Sequence, residues 1–246
     1  MLTYLSQHVS RFVTHFKSSK LTDGVLHLIY PSLCIICENE LARSEPVICS
    51  KCETNIHYTH FEGYIEPTSL DQLFWGRVSL HSTYALLFYK KTNSSQELLK
   101  ALKYQHRPDV GIQFGQQIGK KIKNLEKFKS IDVLIPVPIH PKKEAIRGYN
   151  QSEMLANGIA SVLGIKVATD FIKRNEHSKS QTTLGRFNRW DNVDGKFSIV
   201  QKSNYTHIAL VDDVVTTGST LESIIQSIKA KFPEIQISVI SLAVTN

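Results

Sequence analysis

The pattern of hydrophobic and polar positions changes along the chain, and from about residue 80 it predicts strands that alternate with helices. Apolar runs predict strands over residues 82–89, 131–136, 166–171, 206–211 and 235–244. Apolar residues at helical spacing predict helices over residues 94–104, 110–125, 150–163 and 219–231. Strands that alternate with helices are typical of βαβ units, so the pattern predicts an α/β fold with a parallel sheet flanked by helices.

The first eighty residues show weaker signals of secondary structure. Residues 1–20 place apolar side chains at helical spacing, as an amphipathic helix does, and not in the continuous block of a signal peptide. Such a helix can contact a membrane surface or a partner, or it can pack on its own protein or fray at the terminus. Residues 20–33 predict a short helix, and residues 53–80 predict a connector with few regular elements.

Composition and charge narrow the class of protein and of ligand. No run approaches 18 consecutive apolar residues, so we expect no membrane insertion. Because residues 1–20 lack the pattern of a signal peptide, we expect no cleavage and a cytoplasmic protein. A chain of 246 residues is long enough for one or two domains with a proper core. The formal net charge of +7 favours anionic ligands such as phosphates, nucleotides or nucleic acid, without choosing among them.

All four cysteines lie in two Cys-X-X-Cys pairs, which are Cys34 with Cys37 and Cys49 with Cys52. Two such pairs supply the four thiolates of a tetrahedral zinc site and leave it no open position, so we predict a structural zinc. Disulfides are the alternative, but a reducing compartment disfavours them, and a redox pair would need no second copy. We predict a zinc module within residues 1–60 and an α/β domain over residues 61–246; the ligand spacing leaves contact with nucleic acid open.

The most informative segment is residues 207–220, where an apolar strand ends in two adjacent carboxylates and a hydroxyl-rich turn opens a helix. In open α/β sheets, ligands bind beyond the carboxyl ends of the strands. The turn offers backbone N–H groups, hydroxyls and a helix N-terminus to a phosphate, and Gly218 can adopt a positive φ there. The predicted ligand-binding residues of this segment are Val211, Asp212, Asp213, Thr216, Thr217, Gly218, Ser219 and Thr220.

The two carboxylates are expected to lie within reach of a sugar that carries this phosphate. Carboxylates accept hydrogen bonds from vicinal ribose hydroxyls and can hold hydrated Mg²⁺. The alternative is an ordinary strand end followed by a capping threonine. Two adjacent acids before Thr-Thr-Gly-Ser-Thr argue against that alternative.

This segment resembles the phosphoribosyl pyrophosphate signature of type I phosphoribosyltransferases. The chain as a whole resembles the ComF family of late-competence and amidophosphoribosyltransferase-like proteins, from about residue 25 to the C-terminus. The motifs follow the order that the family shows. They are the paired CxxC motifs, LKALKY at residues 99–104, IPVPIH at 135–140, RGYNQ at 147–151, SQTTLGR at 180–186 with Asn192, and DDVVTTGST at 212–220.

The resemblance implies a type I phosphoribosyltransferase-like sheet and phosphoribosyl pyrophosphate as ligand, together with Mg²⁺. It implies that Asp212 and Asp213, the candidate catalytic residues, hold the ribose or its metal, while the turn after them binds the 5′-phosphate. The cations at His140, Lys142 and Lys143 are then expected to meet the diphosphate, although the two lysines can equally be solvated surface residues.

Two further features follow the IPVPIH segment. Arg147 and Asn150 are expected to begin a helix, where a guanidinium suits bidentate phosphate contact; a helix cap is the alternative for Arg147. Residues 174–192 are polar and long for a connector, so they are a candidate lid, with Arg186 and Arg189 as anchors or as plain surface charges.

Three functions from different classes stay open at this stage. The first is a phosphoribosyltransferase acting on an amine or a base. The second is a competence factor that acts with single-stranded DNA and DNA-processing proteins, and the third is a sensor of phosphoribosyl pyrophosphate without catalysis. Every cysteine belongs to the predicted zinc site, so a glutaminase that supplies its own ammonia is not expected.

Overall fold

The structure, a computed structural model, describes residues 31–91, 94–175, 196–199 and 204–245. The chain divides into two compact units, with the division after Ser50. The predicted helix 1–20, nearly all of the predicted helix 20–33 and nearly all of the candidate lid 174–192, including Arg186, Arg189 and Asn192, lie outside the described residues. The predicted limit of the zinc module near residue 60 stays a prediction.

Among the described residues, helices separate Ser82–Tyr89 from Val133–Pro136, Val133–Pro136 from Lys166–Val167, and His207–Val215 from Gln236–Thr245, as the sequence pattern predicts. Four strands follow one another from Lys166 to Val215 with no described helix between them. The strands are β1 (Ser82–Tyr89), β2 (Val133–Pro136), β3 (Lys166–Val167), β4 (Ile172–Arg174), β5 (Phe197–Ile199), β6 (His207–Val215) and β7 (Gln236–Thr245). The helices are α1 (Ser50–Glu53), α2 (Ser69–Leu73), α3 (Ser94–Tyr104), α4 (Pro108–Ile122), α5 (Glu126–Lys129), α6 (Pro141–Arg147), α7 (Gln151–Leu163) and α8 (Ser219–Lys231).

Five of these strands form one sheet in the order β1-β7-β6-β2-β3. All neighbouring strands in this sheet are parallel, and helices follow β1, β2 and β6 in the chain. The α/β fold with a parallel sheet is therefore confirmed. Since parallel strands have their carboxyl ends at the same edge, the residues that follow β2 and β6 lie at one edge of the sheet.

Two predicted strands differ from the observed ones. The predicted strand 166–171 is wrong beyond Val167, because the chain turns there and Ile172–Arg174 pairs antiparallel with Phe197–Ile199. The predicted strand 206–211 continues to Val215, since β7 is long enough to pair with it as far as Val215↔Val244. Asp212 and Asp213 therefore lie within β6 and not beyond its end.

The core lies around the central strands, whose side chains are mostly apolar. Strand β7 is buried at eight successive positions, and β6 is buried at its first five. Such runs are expected when both faces of a parallel sheet are covered. Among the described residues, no helix combines the length and the apolar character that crossing a bilayer requires.

Helices α4 and α7 approach each other along glycines. A Cβ added at Gly115 would lie 2.3 Å from the Leu155 carbonyl oxygen, and one added at Gly158 would lie 2.1 Å from the Ile112 carbonyl oxygen. These distances leave no room for any side chain, so the two backbones are in direct contact here. Helix α7 also supplies Ser152 and the cap Asn150 to the candidate site, so this packing positions part of that site.

Gly158→Ala is expected to destabilise the α/β unit. The added methyl group meets backbone atoms on a packed helix, which cannot move aside cheaply, and overpacking of this kind costs roughly 1–3 kcal/mol. Urea unfolding followed by circular dichroism measures the loss. Gly63→Ala is the matched control, because its Cβ would have no heavy atom within 4 Å; equal stability of the two variants would contradict the prediction.

Candidate functional site

The centre of the candidate site is the pair Asp212 and Asp213 near the carboxyl end of β6. Asp213 is buried, with 9% of its surface exposed, and its Oδ2 lies 3.0 Å from Lys103 Nζ. Asp212 is half-buried, and its Oδ1 accepts hydrogen bonds from the Ser152 hydroxyl at 3.2 Å and from the Asp213 backbone N–H at 2.9 Å. Two adjacent carboxylates are thus held in place by one cation and two polar donors.

Asp212 titrates far from the usual range of a carboxyl group. Burial raises its pKa to about 7, and the neighbouring charge of Asp213 acts in the same direction. The Asp213 N–H, the Ser152 hydroxyl and Lys103 lower the pKa and only partly offset these effects. An added cation or hydroxyl donor would act in the same direction as these groups and lower the pKa of Asp212.

The turn after β6 leads directly into the N-terminus of α8. Gly218 is the N-cap residue, with φ at 71° in the left-handed region, and it has no side chain to cap the helix. The Ser219 N–H has only a long contact, 3.5 Å, to the Thr217 hydroxyl. Thr216, Thr217, Ser219 and Thr220 are exposed. Backbone donors, hydroxyls and the positive end of a helix dipole are together available to an anion here.

The connector before β1 contacts this turn and supports it. The sequence pattern did not predict this contact. A Cβ at Gly218 would lie 2.9 Å from the Phe74 ring. Arg77 Nη1 donates to the Thr217 carbonyl oxygen at 2.7 Å. The segment around α2, which has few regular elements, thus forms one wall of the loop.

The residues predicted to meet a diphosphate lie on and around α6, which the sequence pattern did not predict. His140 is the N-cap of α6, and its Nδ1 accepts from the Lys142 backbone N–H at 3.2 Å. Lys142 and Lys143 are exposed. These side chains follow β2 at the same edge of the sheet as the acidic pair, since Pro136 at the end of β2 is the partner of Val211.

The prediction that Arg147 begins a helix is wrong, whereas Asn150 begins a helix as predicted. Arg147 ends α6, and its Nη1 donates to Gln151 Oε1 at 2.7 Å while its guanidinium stacks 5.5 Å from the centre of the Tyr104 ring. Asn150 caps α7 and also donates to the Val137 carbonyl oxygen at 3.1 Å. The glycine that follows Arg147 adopts a positive φ and separates the two helices.

Lys103 is a further residue of the site that sequence reasoning missed. Lys103 lies in the last turn of α3 and forms an ion pair with Asp213. The next residue, Tyr104, stacks against the Arg147 guanidinium. The signal was present in the LKALKY segment, but nothing in that segment alone says which of its two lysines reaches the sheet edge. That assignment needs the packing of α3 against β1 and the strand order.

A cavity of about 390 Å³ opens beside the carboxyl end of β2. Its walls carry carboxylates as well as cations. Burial and the charge of Glu144 raise the pKa of the Glu153 carboxyl. The residues that line the cavity include Pro136, Pro138, Glu144, Asn150, Glu153 and Arg174.

The four cysteines form the second candidate site. Their Sγ atoms all lie within 4.8 Å of one another, and Cys37 Sγ lies 3.6 Å from Cys49 Sγ. Four sulfurs at about 2.3 Å from a tetrahedral metal would lie about 3.8 Å apart, so the cluster fits a metal ion of this kind. The chain around it is fixed by backbone bonds such as Cys34 N–H to the Asn39 carbonyl at 2.8 Å.

The Cys34 thiol also has the electrostatics of a metal ligand. Burial acts to raise the pKa of Cys34, but backbone N–H groups of Cys37, Cys49 and Ile36 outweigh it and lower the pKa to about 6. The Cys49 N–H lies 3.4 Å from Cys34 Sγ. N–H groups directed at sulfur stabilise a thiolate, which is the form that binds zinc.

Comparison with known proteins gives a consistent set of relatives. No family model matches the chain. It is 26% identical over 207 residues to Competence protein F of Haemophilus influenzae, covering 82% of this chain and 86% of the relative. It is 25% identical over 214 residues to DNA utilization protein YhgH of Salmonella typhimurium, covering 81% and 91%. For YhgH of Escherichia coli O6:H1 the identity is 23% over 200 residues, covering 79% and 82%.

The similarity to these competence and DNA utilization proteins supports assignment of the chain to the ComF family. A shared length of about 200 residues is much longer than the cysteine cluster or the loop after β6, so the match does not rest on either motif alone. The parallel sheet and the four-cysteine cluster are both present in this chain, as the sequence resemblance implies.

Proposed function

We propose that this ComF-type chain binds phosphoribosyl pyrophosphate with Mg²⁺ at the carboxyl edge of β6, in a role in competence and DNA uptake. The observation that carries the proposal is the order of groups along one strand and turn. Asp212 and Asp213 come first, and the open N-terminus of α8 at Gly218 follows within six residues. A ribose that bears a 5′-phosphate needs these groups in this order.

The two ends of the site suit the two ends of the ligand. The 5′-phosphate takes the exposed turn Thr216–Thr220, where N–H groups and hydroxyls replace its water. The ribose hydroxyls donate to the acidic pair, which accepts as carboxylates do. The diphosphate extends towards the segment after β2, where Lys142 and Lys143 supply positive charge. The His140 ring, whose Nδ1 accepts from the Lys142 N–H, can donate from Nε2.

Asp212 and Asp213 are also the residues that would hold Mg²⁺, since carboxylate oxygens are the ligands that this ion prefers. When bound, the ion would screen the diphosphate and the acidic pair from each other. Lys103, at 3.0 Å from Asp213, already supplies one positive charge to the same pair. The chain's own groups thus reduce the repulsion that a polyanionic ligand meets here.

The cysteine cluster is proposed to hold a structural zinc. Four thiolates leave a tetrahedral zinc without an open position, so the metal stabilises the fold around residues 34–52 and takes no part in chemistry. The α/β unit supplies all the groups proposed to bind the ligand.

Turnover would require an acceptor that attacks C1 of the ribose as the diphosphate leaves. The cavity beside β2 lies at the same edge of the sheet, next to Asn150 and Glu153, and is a candidate place for such an acceptor. A DNA-linked role is favoured by the relatives named for competence and DNA utilization. Affinity for single-stranded DNA that falls steeply with salt would support it.

Thermal unfolding of the zinc-loaded protein with a panel of ligands tests the proposed function. Phosphoribosyl pyrophosphate with Mg²⁺ is expected to raise the Tm most, since a ligand at 100 times its Kd stabilises by about 2.7 kcal/mol. Ribose 5-phosphate is expected to give a smaller rise, and ribose none. Diphosphate release that depends on an added amine or base would then show an enzyme. A folded protein whose Tm responds to none of these ligands would contradict the proposal.

A further inference from the structure

The loop between β6 and α8 is held from outside by Arg77, a residue of the connector that precedes β1. Its Nη1 donates to the Thr217 carbonyl oxygen at 2.7 Å and to the Leu73 carbonyl oxygen at 3.1 Å. Its Nε donates to Glu222 Oε2 at 3.1 Å, and its Nη2 donates to the same oxygen. The guanidinium therefore joins three separate parts of the α/β unit.

The bond to Thr217 fixes the orientation of one peptide group of the loop. A trans peptide is planar, and its C=O and N–H point in opposite directions. Because Arg77 holds the Thr217 carbonyl, the N–H of the next residue, Gly218, is directed away from Arg77. Phe74 closes the same side, since a Cβ on Gly218 would lie 2.9 Å from its ring, so the loop has little freedom to rotate this peptide.

The ion pair with Glu222 removes an unfavourable charge from a phosphate site. Glu222 lies in the first turn of α8, directly behind the exposed residues Ser219 and Thr220. A carboxylate there interacts favourably with the helix dipole but repels an anion at the same helix end. The side chains of Arg77 and Glu222 are 30% and 26% exposed, so solvent screens this charge only in part, and Arg77 neutralises it.

We infer that Arg77 is a positioning residue of the phosphate site, which orients the Thr217–Gly218 peptide and cancels the charge of Glu222 so that a phosphate monoester can bind at the N-terminus of α8. This inference rests on the proposed function, because it names what tunes the same site. Four of the five N–H donors of Arg77 are engaged by Thr217, Leu73 and Glu222, so we expect it to act through the loop and not as a direct contact of the ligand.

The test is calorimetric titration of the full, zinc-loaded chain with ribose 5-phosphate. Arg77→Met is expected to weaken binding at least 10-fold, because the loop loses its anchor and Glu222 becomes an uncompensated charge. Glu222→Gln alone is expected to change affinity less than 3-fold. The double variant Arg77→Met, Glu222→Gln is expected to bind more tightly than Arg77→Met, since the repelling charge is gone. A purely structural role of Arg77 would give no such rescue.

Controls separate this inference from the proposed function. Lys129→Met breaks an exposed ion pair with Glu126 on α5 and is expected to bind as the wild type does. Arg77→Lys, which keeps the charge and the fold, is expected to bind with intermediate affinity. Arg77→Met with unchanged affinity, or no rescue in the double variant, would overturn the inference while the proposed function stands. A folded wild-type protein that does not bind ribose 5-phosphate would overturn both.

Discussion

Cys49→Ser is expected to weaken zinc binding at the four-cysteine site strongly. Four thiolates share a binding free energy of about 10–16 kcal/mol in structural zinc sites, so losing one is expected to weaken zinc binding by about 3 kcal/mol or more, which is over 100-fold. Cys49 is buried, and its sulfur lies 3.6 Å from Cys37 Sγ, so a hydroxyl in its place cannot recruit another ligand nearby without rearrangement.

Zinc content per chain and transfer to a colorimetric chelator measure this effect. Ser50→Ala is the control, since Ser50 is the exposed neighbour of Cys49 and supplies no sulfur. We expect one zinc per chain in the wild type and the control, and much faster transfer from the cysteine variant. Wild-type protein that carries no zinc, or a variant that keeps it as tightly, would contradict the structural metal site.

Asp212→Asn is expected to stabilise the fold near neutral pH while it weakens ligand binding. The pKa of Asp212 is about 7 in the folded chain and near 3.8 when unfolded, so the folded state holds its proton more tightly. As pH rises from about 4 to 7, the wild type therefore loses stability from this group, and above pH 7 the loss is complete. Asparagine does not titrate and avoids the loss.

The expected gain in the free energy of unfolding follows from the shift in the pKa of Asp212. Each pKa unit corresponds to about 1.4 kcal/mol, so the variant is expected to gain on the order of 2–4 kcal/mol over the wild type between pH 4 and pH 8. The Ser152 hydroxyl and the Asp213 N–H can still donate to an amide oxygen at this position. Urea unfolding at a series of pH values measures the gain.

Asp132→Asn provides a control of opposite sign. Burial acts to raise the pKa of Asp132, but hydrogen bonds from the Thr206 and His207 backbone N–H groups and from the Thr206 hydroxyl lower it below its usual range. This group stabilises the fold above the unfolded pKa, and the contribution is lost as pH falls through the folded pKa. The variant is expected to be less stable than the wild type at pH 8. An Asp212 variant that behaves like the Asp132 variant would contradict the assignment.

The regular part of the fold could be predicted because local sequence and packing agree there. Helix α8 and strand β1 occur at the predicted residues, since strong apolar periodicity and turn residues mark both ends. The prediction of one strand over residues 166–171 was wrong because an apolar run does not show which strand it pairs with. The glycine contact between α4 and α7 and the short helix α6 were missed for a related reason: each depends on what packs nearby.

The candidate site divides in the same way. The position of the acidic pair directly before the loop could be predicted, because all of these residues lie in one continuous segment of the chain. Lys103 and Arg77 were not, since Lys103 and Asp213 are separated by 110 positions, and Arg77 and Thr217 by 140. A single sequence does not show which distant cation reaches a given carboxylate. The fold supplies that information through strand order and helix packing.

The most direct test of the central claim is calorimetric titration of the zinc-loaded protein with phosphoribosyl pyrophosphate and Mg²⁺, beside the double variant Asp212→Asn, Asp213→Asn. We predict saturable binding to one site in the wild type and loss of that binding in a variant that circular dichroism shows to be folded. Binding that persists unchanged in the variant, or a folded wild type that binds nothing, would contradict it.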